Sequence, residues 1–130
     1  VRVLVVDGAN VVGARPDGWW RDRAGAAERL VAAIAAARTA GVAPELLGGR
    51  VVVVLEGRAS AADIAAHGDV VEVVRAPRDG DATIVALVPT YAPDDVLVVT
   101  SDRELRRRVE ALGATTVGAA HLRDTLDRPT

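Results

Sequence analysis

Five nearly continuous apolar runs constrain this chain more than any other feature: residues 2–6, 50–55, 70–75, 96–100 and 115–117. They are rich in Val and do not alternate with polar residues. A strand with one wet face alternates, whereas a strand buried on both faces does not. The runs therefore predict strands of a parallel sheet covered on both sides. The stretches between them have helical spacing. Residues 22–40 carry Ala27, Leu30, Val31, Ile34 and Ala37 on one stripe and stop at Gly41. Residues 60–66 open with Ser60 and Asp63 three positions on, a capping-box pattern that predicts a short helix. Helices are also expected over 81–88, 102–112 and 119–126. Strands and helices alternate throughout, and right-handed crossovers fold such a chain into an α/β three-layer sandwich around a mostly parallel sheet. Residues 8–21 show neither period and are expected to be irregular. Long irregular segments in small domains often carry function.

Composition narrows the chemistry. The chain has 130 residues, half of them apolar, and no Phe or Met, so Val, Ala and Leu must fill the core. That length suits a single domain over 1–130. There is no cysteine, which excludes disulfides, thiolate metal sites and cysteine nucleophiles. No apolar run approaches membrane-spanning length, so no membrane partner is expected and a cytoplasmic location is. The net charge is −2, and all sixteen cationic residues are arginines. Without lysine the chain cannot be a P-loop ATPase. The same absence argues against receiver domains and haloacid-dehalogenase-type phosphatases, which use a lysine near the phosphate. The oligomeric state, monomer or homodimer, is not set by the sequence.

The acidic residues fall at informative places. Asp7 ends the first apolar run, Asp102 follows the fourth by two residues, and Asp79 and Asp81 open the helix after the third. In an open parallel sheet these positions project to one edge, where ligands bind at the point of strand-order reversal. Converging carboxylates, without lysine or cysteine, suit a hard cation such as Mg²⁺ or Mn²⁺. Each acid also has a structural explanation. Asp7 begins an Asp-Gly turn, Asp79 and Asp81 can cap a helix, and Ser101 with Glu104 makes a capping box around Asp102. The coincidence of three acids at strand ends favours a site. Glu56, ending the second run, is a further acid at the same edge.

Three blocks resemble a known family: VVDGANVVG (5–13), GDATIVALV (80–88) and VVTSDRELRRRVEALGA (98–114). They are similar to the PIN-like NYN domain, in its YacP-like bacterial branch. The resemblance covers residues 1 to about 126. It implies a five-stranded parallel sheet of order 3-2-1-4-5 and divalent-metal endoribonuclease chemistry. By the same resemblance Asp7, Asp81 and Asp102 are metal ligands and catalytic residues, and Asn10 is the Asn of the Asp-Gly-x-Asn motif. Thr100 and Ser101 stand where hydroxyls orient a carboxylate or water, and Asp79 is a secondary acid. Relatives often carry further acids where this chain has Ala82 and Ala86, which leaves the number of metal ions open.

Residues 15–23, RPDGWWRDR, hold both tryptophans of the chain. Two adjacent indoles do not easily face one core. One is expected to pack beneath the following helix and the other to stack on RNA bases, with arginines on phosphates. The RNA-contact candidates are Trp19, Trp20, Arg15 and Arg21, with Arg103 and Arg106 beyond the fourth strand. Arg108 reads as a solvated helix position, and His67 and His121 as surface or capping residues. The expected function is a metal-dependent endoribonuclease. The alternatives are an RNA-binding PIN-like module with weak or no catalysis, and a Mg-dependent nucleotide phosphohydrolase.

Overall fold

The computed structural model describes residues 2–128. Its strands are β1 (Arg2–Asp7), β2 (Arg50–Leu55), β3 (Glu72–Arg75), β4 (Asp95–Val99) and β5 (Thr115–Val117). All neighbours pair parallel, in the order β3-β2-β1-β4-β5. The helices are α1 (Gly8–Gly13), α2 (Arg23–Thr39), α3 (Pro44–Leu47), α4 (Gly80–Leu87), α5 (Arg103–Ala111) and α6 (Ala119–Asp127).

Continuous apolar runs become strands because both faces of the sheet are covered. Leu4, Val6, Val53 and Val99 pack with Val11, Leu30, Ile34 and Leu122, from α1, α2 and α6. Val3, Val5, Val52 and Val98 pack with Ile84, Leu105 and Val109, from α4 and α5. This is the α/β three-layer sandwich, with the 3-2-1-4-5 order that the resemblance implies. β1 lies at the centre, and it exchanges hydrogen bonds with β2 on one side and β4 on the other. The strand order therefore reverses between β1 and β4. Their carboxyl ends flank the crevice where ligands bind in such sheets.

Two expectations change. Residues 8–21 are not wholly irregular, because α1 fills the first six and Trp19–Arg21 form a 3₁₀ turn. α1 has no visible period because it is short and buries the adjacent Val11 and Val12. Gly8 lets it begin directly after β1: a Cβ there would stand 2.6 Å from the Val54 carbonyl oxygen. Residues 60–66 do not form one helix but fall across two 3₁₀ turns, Gly57–Ala61 and Ala65–His67. Ala62 between them is extended, and the Asp63 side chain accepts the Ala65 N–H at 3.2 Å. A local side-chain bond of this kind competes with helix.

Candidate functional site

Asp7 is the last residue of β1 and the N-cap of α1, where it accepts the Asn10 N–H at 3.3 Å. It is 4% exposed. The hydroxyl of Thr100, which is fully buried just beyond β4, donates to Asp7 Oδ2 at 2.9 Å. The same hydroxyl oxygen accepts the Asp102 N–H at 3.1 Å. One threonine thus joins the ends of β1 and β4 and fixes where α5 starts. Asp102 is the N-cap of α5 and accepts the Leu105 N–H at 3.1 Å. Ser101 is therefore not the cap that the Ser101–Glu104 pattern suggests. Its oxygen instead accepts the Ala119 N–H at 2.9 Å and anchors α6. The Asn10 side chain accepts the Ser101 N–H at 2.7 Å, so it positions the turn after β4.

Asp79 is the N-cap of α4, accepting the Ala82 N–H at 2.7 Å, and Asp81 lies in the first turn of that helix. Asp7, Asn10, Glu56, Asp79, Asp81 and Asp102 line one open cleft of about 360 Å³. Glu56 reaches it because Gly80 has no side chain: a Cβ there would lie 3.2 Å from Glu56 Oε1. The two centrally placed acids feel this crowding. Burial raises the Asp7 carboxyl to about 6, with the charges of Asp81 and Glu56 adding to it and the Thr100 and Asn10 hydrogen bonds opposing. Asp81 is also raised, first by burial and then by Asp102, Glu56 and Asp79. Arg108 pulls the other way. Arg108, expected from the sequence as a solvated helix position, therefore also acts on this site. It follows the buried Leu105 by three positions, on the same side of α5.

The donors that line the cleft are all oxygen or amide, as a hard divalent cation prefers. Among the described residues, however, no three of these acids stand close enough to enclose an ion by themselves. One oxygen each of Asp79 and Asp102 is occupied as a helix cap. Such a donor set suits an ion that keeps several waters and touches one or two carboxylates, the usual habit of Mg²⁺.

The arginines and tryptophans divide. Trp20 is 51% exposed, whereas Trp19 is half-buried and packs against the core. The two rings meet edge to face at 5.8 Å. Arg21 lies 6.0 Å from the Trp20 ring and Arg23 lies 5.2 Å from the Trp19 ring. Arg15 is ion-paired with Asp127 at the surface, and Arg106 donates from Nε to Thr116 at 3.0 Å. Arg103, next to Asp102, is exposed.

The strand order is the 3-2-1-4-5 that the PIN-like resemblance of the sequence implies. Two solved structures make the likeness particular, both of Rae1 (YacP) from Bacillus subtilis. A mutant form of that protein superposes with a TM-score of 0.73 at 25% identity, over 96% of this chain and 75% of that one. Another structure of it gives 0.73 at 22% identity, over 96% and 73%. The YacP-like resemblance of the three sequence blocks is thus matched in three dimensions. No family model matches the chain, and no curated protein does.

Proposed function

We propose that this chain is a divalent-metal-dependent endoribonuclease. The observation that carries the proposal is the shared cleft of Asp7, Asp81 and Asp102, at the strand-order reversal and joined by Asp79 and Glu56. The likeness to Rae1 (YacP) supports a PIN-like RNA-processing module. Asp7, Asp81 and Asp102 are the residues that would hold Mg²⁺ or Mn²⁺, directly or through water. A cation held there would lower the pKa of a bound water and help neutralise charge on a phosphodiester.

The protein's own groups prepare this chemistry. Thr100 and the Asn10 amide hold Asp7 in one orientation, so no reorganisation is needed when a substrate arrives. Crowded carboxylates repel one another and the RNA backbone alike, which makes both cation and RNA binding depend on charge compensation. Arg108, whose charge acts on Asp81, and exposed Arg103, which follows Asp102 in the chain, would offer part of that compensation to a phosphate. No side-chain nucleophile is required.

A second reading, an RNA-binding module that has lost turnover, is favoured by Ala82 and Ala86. Both are exposed positions on α4 that carry methyl groups where relatives often have acids. Incubation with mixed RNA in Mg²⁺ or Mn²⁺, with and without chelator, separates the two. Cleavage that a chelator abolishes supports the nuclease, and binding without cleavage supports the module. Hydrolysis of free nucleotides alone indicates a phosphohydrolase instead.

A further inference from the structure

Beside the acidic cleft lies a second hollow of about 280 Å³. The two share Ala9 and Glu56 on their linings. The chemistry of the second is different: its floor is apolar, with Val12, Ala27 and Leu55, and Trp19 and Arg23 line it too. The Arg23 guanidinium sits 5.2 Å from the Trp19 ring centre, and Arg23 itself is exposed. An aromatic ring, a guanidinium and an apolar floor are the parts with which proteins hold an unstacked nucleobase. Trp19 both packs against the core and lines the hollow.

We propose that this hollow is a nucleobase pocket, which takes one unpaired base of the RNA adjacent to the phosphate lying in the acidic cleft. The inference rests on the ribonuclease reading above and adds a substrate requirement to it: the RNA must be single-stranded or locally unpaired at that base. A paired base is held in its stack and cannot enter without the cost of extrusion. Ala9 and Glu56 line both the pocket and the cleft, so the two adjoin closely enough for one nucleotide to place its base in the first and its phosphate in the second. Trp20, on the outer side of the pair, is left for a neighbouring base.

The test uses the Trp20→Phe protein, in which Trp19 is the sole indole. End-labelled RNA reports binding by anisotropy, and unlabelled RNA in parallel titrations reports on Trp19 by emission, with RNA integrity checked on a gel. The expected result is that single-stranded RNA quenches Trp19 on saturation and duplex RNA of equal length does so far less. Ala59→Leu, which fills the hollow from the turn after β2, and Arg23→Gln, at an exposed position, should each weaken single-strand binding about tenfold and reduce the quench. Arg23→Gln keeps the test decisive if Ala59→Leu fails to fold. RNA binding with unchanged Trp19 emission, or with both variants binding as tightly as the parent, overturns the pocket and leaves the ribonuclease reading standing. No binding to any RNA overturns both.

Discussion

The Thr100 hydroxyl donates to Asp7 across the junction of β1 and β4, with both residues buried. Asp7 ends β1 and Thr100 directly follows β4. Thr100→Val keeps the shape and removes the donor. It leaves a buried carboxylate short of a hydrogen bond and the Asp102 amide without its acceptor. The expected loss is ~1–3 kcal/mol, read by denaturant unfolding at pH 7. Unchanged stability would mean that the bond contributes nothing to holding the two strand ends.

Asp7 sets a pH dependence whose sign follows from its raised pKa. Its carboxyl moves from 3.8 to about 6 on folding, so the folded state binds the proton more tightly than the unfolded chain. The contribution of Asp7 to stability is therefore fully present below about pH 4, falls as pH rises toward 6, and stays low above that. Asp7→Asn should flatten this segment and raise metal-free stability at pH 7 by up to about 3 kcal/mol. Unfolding curves from pH 4 to 8 check it, and an unchanged slope in the variant would contradict the assignment.

A bound cation should remove the same penalty. Mg²⁺ or Mn²⁺ is expected to raise the melting temperature at pH 7 and to do so much less at pH 5, where Asp7 is protonated. Asp81→Asn should lose most of the shift. Asp79→Asn should keep the fold, because Asn caps a helix as well as Asp. If the metal shift survives in Asp79→Asn, Asp79 is only a cap.

The sheet was legible because burial on both faces leaves an unbroken apolar run, a signal that needs no knowledge of neighbours. Asp7 and Asp102 were legible as acids placed just after such runs. What the sequence hid depends on through-space approach. α1 is too short to show a period and exists because Asp7 caps it and Gly8 clears Val54. The Ser101–Glu104 box looked like a cap, yet Asp102 took that place and freed Ser101 to hold α6. The partners that Arg106 and Arg15 have within the fold, Thr116 and Asp127, lie far from them in sequence and could not be read from it. Arg108 looked merely solvated, and only the packing of α5 beside α4 brings its charge to Asp81.

Trp20 provides a separate test of the loop. Its indole is half exposed, so Trp20→Ala should cost little stability. Loss of one stacked base should weaken single-stranded RNA binding about tenfold, measured by anisotropy at fixed salt. Normal binding would move the RNA path away from Trp20, toward Arg103 and the pocket beside Trp19.

The central claim is that the acids at the ends of β1 and β4 cleave RNA together. The most direct measurement is end mapping of total RNA after incubation with Mg²⁺ or Mn²⁺, comparing the parent protein with Asp7→Asn and Asp102→Asn prepared identically. Discrete metal-dependent cuts are expected in the parent, and their loss, by about a hundredfold or more, in both folded variants. The same cuts at undiminished rate in either variant, with contaminating nuclease excluded, would contradict it.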